Sequence, residues 1–396
     1  MQQILMFYAS KLYEFDVAKI WNKCSTVVIA GIKNSKIEAI YNARQGVGAK
    51  LPTLKQFLKR YQLMAKWEDT TMTKLKTLMT AAATIALLAS SATFAVAETT
   101  IAVIGGKTDD AFFAKVKKGI DDAALVVAAH GGKVNYLQLQ SYDNIGGDAA
   151  NLVRTAISQK ASVIAVPNWV PGSEDEAIKA AQAAGIPVIL FNAGGGDKAK
   201  ELGALNYVGN EEYTAGLAGG ERFTAAKAKN VLCVNTVPGA QNLEDRCKGI
   251  SDGITKGGGK STQLPLPASS FGNPTAVAEA IKATLLKDAT IDGLVTISAS
   301  DADAAAVGIE QASMTGKVLL GSFDMNETCL ERIKAGTQLY SIDQQPWLQG
   351  FLAVTLADAY VNYGLKLATA PILTGPGVVD ASTIDATLAG AKAGYR

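Results

Sequence analysis

From Thr99 to Phe323 the chain repeats one pattern: a short, uninterrupted apolar run, then a longer stretch whose apolar residues recur at helical spacing. Thr100 to Ile104 opens it, and Asp110 to His130 follows with Phe113, Val116, Ile120, Ala124 and Val127 on one face. Val134 to Leu139, Val163 to Val166 and Pro187 to Phe191 read as further strands, separated by helices near Asp148 to Gln159 and Ser173 to Ala184. Strands that are apolar throughout, rather than at alternate residues, must be covered on both faces, and the intervening helices supply that cover. The pattern predicts a parallel sheet in an α/β fold.

A second series of similar size begins after Tyr207-Val208-Gly209. It reads as helices at Tyr213 to Ala228, Asn242 to Ile254, Pro274 to Leu286 and Ala302 to Gln311, with strands at Val231 to Asn235, Gly293 to Ile297 and Val318 to Phe323. Two lobes of one architecture are therefore expected.

Upstream, residues 72–97 have the layout of a secretory leader. Lys74 and Lys76 give a positive start, Leu78 to Ala89 form an apolar core, and Ala95-Val96-Ala97 places small residues where a signal peptidase cuts. The core is too short for a membrane span, which takes about 20 residues. Residues 1–71 are then expected to be a non-native or disordered N-terminal extension, and the mature protein to start at Glu98 in the periplasm. Residues 98–396 carry 25 basic against 31 acidic side chains, a net of −6, which argues against a nucleic-acid partner.

Three cysteines remain there, Cys233, Cys247 and Cys329. Cys247 lies on an apolar helix face with Leu243 and Ile250, so it could meet Cys233 across a strand-helix contact, with Cys329 left reduced; three buried thiols are the equal alternative. The one histidine, His130, stands at a helix end before Gly131-Gly132, where capping suits it better than metal binding. No metal and no cofactor are expected.

In open α/β sheets ligands sit beyond the carboxyl ends of the strands. Those positions hold Asp109, Asp110, Phe112 and Phe113, then Asn168 and Trp169, then Asn192. In the second lobe they hold Gln241, Asn242 and Arg246, then Ser298 to Asp303, Asp324, and Asp343 to Trp347. Aromatic faces cover the C–H patches of a sugar ring, while carboxylates, amides and a guanidinium fork bond its hydroxyls.

These residues resemble the periplasmic sugar-binding proteins of ABC importers, of the ribose-binding type. The likeness spans Glu98 to Arg396 and rests on Asp110-Ala-Phe-Phe113, Ile186 to Asn192, Tyr207 to Gly216, Leu243 to Gly249, Phe323-Asp324 and Ser341 to Pro346. It implies two Rossmann-like lobes joined by a three-crossing hinge near Gly209-Asn210, Gln344-Gln345 and Leu373-Thr374. One lobe would be 98–209 with 345–373, the other 210–344 with 374–396. The resemblance also implies that Phe112 and Phe113 sandwich the ring and that Asp110, Asn192, Arg246, Asp324 and Gln344 bond hydroxyls. With the strand-end residues Asn168, Asn242 and Asp301 these make up the candidate site.

Asn192-Ala193 stands where ribose-binding members have an Asp-Arg pair, and Asp110 where they have Asn; these departures put ribose itself in doubt, and a neutral pentose, hexose or polyol with a different hydroxyl pattern is compatible with the resemblance. The implied partners are that ligand and an inner-membrane permease, with a chemoreceptor as a further one, for a monomeric protein that is not an enzyme. Two other readings share the architecture. A sugar-responsive repressor would need a helix-turn-helix upstream, where the leader stands. A dehydrogenase would need a G-x-G-x-x-G turn, where Ile104-Gly-Gly-Lys107 stands.

Overall fold

The computed structural model describes residues 98–396; the expected extension over 1–71 and leader over 72–97 lie outside the described residues. The first strands are β1 (Thr100–Gly105), β2 (Lys133–Gln138), β3 (Val163–Val166), β4 (Val188–Phe191) and β5 (Tyr207–Gly209). Then come β6 (Asn230–Asn235), β7 (Lys260–Pro265), β8 (Gly293–Thr296), β9 (Leu319–Phe323), β10 (Tyr340–Asp343), β11 (Ile372–Leu373) and β12 (Gly377–Val379). They form two sheets, ordered β11-β5-β4-β3-β1-β2 and β12-β10-β9-β8-β6-β7. All pairs are parallel except β10 with β12. The chain leaves the first sheet after Gly209, returns after Asp343 and leaves again after Leu373.

The helices are α1 (Ala111–Ala129), α2 (Ile145–Ser158), α3 (Pro171–Ala183), α4 (Gly195–Glu201), α5 (Glu212–Ala225) and α6 (Gln241–Lys256). The later ones are α7 (Pro274–Lys287), α8 (Ala299–Gln311), α9 (Glu327–Lys334), α10 (Pro346–Tyr363) and α11 (Ile384–Lys392). β3, β4 and β8 are buried at every residue, as unbroken apolar strands between helical layers must be. The edge strand β7 (KSTQLP) has no such run and is largely exposed, so its sequence gives no strand signal.

In each lobe the helix that carries site residues is locked to a neighbour by backbone contact. On α1 and α10, a Cβ at Gly119 would lie 2.1 Å from the Trp347 carbonyl oxygen, and one at Gly350 2.1 Å from that of Val116. α5 and α6 interlock likewise: a Cβ at Gly216 would meet the Arg246 carbonyl oxygen at 2.2 Å and one at Gly249 that of Tyr213 at 2.2 Å. Only residues without a Cβ allow such approach, and the resulting contact fixes where each helix starts. A Cys233–Cys247 disulfide, with Cα atoms 5.7 Å apart, further ties α6 to β6, while Cys329 is free and buried. His130 is the C-cap residue of α1, and its Nδ1 lies 2.7 Å from Asp358 Oδ2.

Candidate functional site

Between the two sheets, at the carboxyl ends of their strands, lies a cavity lined by both lobes. The first lobe supplies Asp110, Phe112 and Phe113 from the β1–α1 turn, Tyr142 after β2, Trp169 after β3 and Asn192 after β4. The second supplies Asn242, Leu243 and Arg246 from α6, Phe271 after β7, Ser298 after β8 and Asp324 after β9; Gln344 comes from the second crossing. The lobes touch around it. Gln241 N donates to the Trp169 carbonyl at 2.7 Å, Lys115 Nζ to the Met325 carbonyl at 2.8 Å, and the Tyr142 and Phe271 rings meet edge-on at 5.1 Å.

Aromatic rings dominate the first lobe's wall. Phe113 packs edge-on against Phe112 at 5.4 Å and against Trp169 at 5.8 Å between centroids, which braces the rings. Asp110 is the N-cap of α1: Oδ1 accepts from Phe112 N at 2.8 Å, and Oδ2 from Tyr142 Oη at 2.6 Å. Burial raises its carboxyl above the ordinary range, with the Tyr142 bond pulling the other way. Asn192 has a left-handed backbone, φ 63°; its amide oxygen accepts from Trp169 Nε1 at 3.2 Å and its nitrogen donates to Gln349 Oε1 at 3.3 Å. A cap and a brace thus share the atoms expected to meet a ligand.

The second lobe's wall is more polar. Asp324, also left-handed at φ 59°, accepts from the Gln344 side-chain nitrogen; burial pushes its carboxyl up to about 7 against the pull of Arg246 and that bond. Two buried oxygens, Asn242 Oδ1 and Gln344 Oε1, have no hydrogen-bond partner within the protein. A buried acceptor left unpaired costs about 1–3 kcal/mol, and these two residues line the cavity.

Arg246, expected to turn its guanidinium fork on ligand hydroxyls, is instead largely engaged within the protein. It is buried, and its Nε and Nη2 donate to the two carboxylate oxygens of Glu212 at 2.7 and 3.0 Å, while Nη1 donates to the Ile297 carbonyl at 3.0 Å. Its guanidinium also lies over the Phe323 ring, 4.6 Å from the centroid. A desolvated guanidinium needs a counter-charge, and the one it finds stands 34 residues upstream in the first turn of α5.

Eight of the ten expected residues line this cavity: Asp110, Phe112, Phe113, Asn192, Asn242, Arg246, Asp324 and Gln344. Asn168 and Asp301 do not. Asn168 is fully buried and donates to Asp175 at 3.0 Å; Asp301 lies within the first turn of α8 and accepts from Thr236 at 2.8 Å. Both serve the lobe's own packing. Tyr142 and Phe271 were not foreseen, although Tyr142 follows a strand the sequence does reveal. Among the described residues no cluster of three or more His, Cys, Asp or Glu could hold a metal ion, and no helix is long and apolar enough to cross a membrane.

The sequence matches the family model described as periplasmic binding protein domain over residues 101–366. It is 26% identical over 274 residues to the xylose/arabinose-binding protein of Sulfolobus acidocaldarius, a match covering 66% of each chain. It is 24% identical over 290 residues to the D-apiose import binding protein of Actinobacillus succinogenes, covering 72% of this chain and 89% of that one. Among solved structures, a carbohydrate transporter from Acidothermus cellulolyticus in complex with myo-inositol is 33% identical, with a TM-score of 0.68, covering 76% of this chain and 100% of the other. The curated relatives are named as binding proteins. The chain belongs to the periplasmic binding protein family, among the sugar-binding members that serve ABC importers.

Proposed function

We propose that the chain captures one neutral monosaccharide or polyol between its lobes, in the periplasm, and hands it to an inner-membrane permease. The observation that carries this reading is the cavity's division of labour. Braced aromatic faces stand on one side, and on the other stand two buried, unpartnered amide oxygens and a carboxyl. Such walls take up the C–H face and the hydroxyl rim of a hydroxylated ring. The only guanidinium in the lining is already paired, which favours an uncharged ligand. The names of the relatives agree: xylose, arabinose, D-apiose and myo-inositol are uncharged polyhydroxy compounds.

The three passages between sheets act as the hinge, and ligand bonds from both walls favour the closed form. Export through the leader at 72–97 brings the protein to the periplasm as a monomer, where a chemoreceptor is a further candidate partner. A ligand that binds only the folded state raises the melting temperature. A thermal-shift screen of monosaccharides, polyols and cyclitols, myo-inositol included, is expected to find at least one strong shift among neutral compounds. A screen in which only charged compounds or none shift the transition contradicts the proposal.

A further inference from the structure

We propose that Glu212 sets the charge selectivity of the site: a positioning residue behind the cavity wall, it cancels the charge of Arg246 and so makes the pocket reject sugar acids. The inference rests on the sugar-binding reading above and deepens it. Arg246 lines the cavity; Glu212 does not, yet it is the residue to which the guanidinium is bound at two points. Glu212 is 7% and Arg246 3% exposed, so solvent does little to screen either charge, and an ion pair of this geometry presents almost no net charge to a molecule beside it.

The lining's other groups that carry charge near neutral pH are the carboxyls of Asp110 and Asp324. Two lysines stand outside the lining: Lys115, whose charge is felt at Asp324, donates to the Met325 carbonyl, and Lys107, beside the Tyr142 and Phe271 rings, pairs with Asp109. Within the lining, a carboxylate-bearing ligand would therefore meet two acidic groups and no uncompensated positive charge. A neutral polyol loses nothing by the pairing, because the guanidinium keeps its place: Glu212 holds Nε and Nη2, and the Ile297 carbonyl holds Nη1. Removing the carboxylate charge while keeping the shape would leave one net positive charge in the wall.

The test compares wild type, Glu212→Gln and the double variant Glu212→Gln/Arg246→Gln by thermal shift and calorimetry. Myo-inositol, D-galactose and D-xylose serve as neutral probes, D-galacturonate and D-glucuronate as acidic ones. Wild type is expected to bind a neutral probe and to reject both acids. In Glu212→Gln the preference of the best neutral probe over the best acid is expected to fall at least tenfold. The double variant holds no buried charge at this place and is expected to reject acids as wild type does, whatever it loses for neutral probes. An unchanged preference in folded Glu212→Gln overturns the inference, and so does a double variant that admits acids as the single one should; the latter overturns it even if Glu212→Gln does not fold. If wild type binds acids but no neutral probe, it is the sugar-binding reading that has failed.

Discussion

The two lobes share a strand order and place unlike chemistry at like positions. β4 ends at Phe191 and β9 at Phe323, and in both the polar residue that follows, Asn192 or Asp324, turns away from the strand with a left-handed backbone, φ 63° and 59°. Asn192 spends both ends of its amide on Trp169 and Gln349 and braces an aromatic wall. Asp324 keeps an acidic group in the cavity beside Gln344 and Arg246. After β1 the chain supplies two phenylalanines; after β6, the corresponding strand, it supplies Asn242 and Arg246. One lobe's wall is mostly aromatic and the other's mostly polar, so the comparison can be broken from either side.

The largest effect is expected where the second lobe's rim is also its core. Arg246→Met leaves Glu212 buried without its partner, which costs about 3–5 kcal/mol. Urea unfolding is expected to show that loss together with loss of binding; a cost under about 1 kcal/mol would mean that the pair is far less buried than described. The first lobe should behave differently. Phe112 is half-buried, and Phe112→Ala is expected to weaken binding by about 2 kcal/mol, the worth of one ring's apolar contact, with little change in unfolding. Equal losses of stability and affinity at Phe112 would erase the distinction between face and core.

A third test uses pH. The Asp324 carboxyl stands at about 7 in the folded protein against an ordinary value near 3.8, so the folded state favours its neutral form. The stability it contributes is fully present below about pH 4 and is lost as pH rises through about 7, on the order of 4 kcal/mol for the ligand-free protein. Asp301, raised to about 6 by burial, and Glu174, raised to about 8 by burial, act with the same sign. Asp324→Asn, which suits a left-handed backbone, is expected to flatten the decline without abolishing it. Unfolding curves between pH 4 and pH 8 that match for wild type and variant would contradict this assignment. The smallest effect is expected at the contact between lobes: Lys115→Met removes one bond to the Met325 carbonyl and should weaken binding severalfold, read by titration calorimetry.

Much of this was legible in the sequence, and the exceptions have physical reasons. Buried strands such as Val163–Val166 announce themselves by unbroken apolar runs, and the rule that ligands sit beyond strand ends reaches Phe113, Asn242 and Asp324. Lys260–Pro265 lies on a sheet edge, carries polar side chains, and hides both itself and Phe271 beyond it. α10 is apolar nearly all round because it packs on both α1 and the sheet, so it shows no stripe to read. Asn168 and Asp301 share the strand-end signal, yet their side chains bond Asp175 and Thr236 within their own lobes, and nothing local in the sequence marks that difference. Glu212 was invisible for a different reason: a counter-ion is chosen by proximity in space, and nothing local marks it.

The central claim is that one neutral ring is held between an aromatic wall from one lobe and polar groups from the other. Calorimetric titration of the strongest neutral ligand from the screen into wild type, Phe112→Ala, Asn242→Ala and the double variant tests it most directly. One ligand per chain is predicted for wild type, with affinity reduced by each single change and heat lost in the double variant while the fold persists. Undiminished binding in the folded double variant would show that the ligand sits elsewhere.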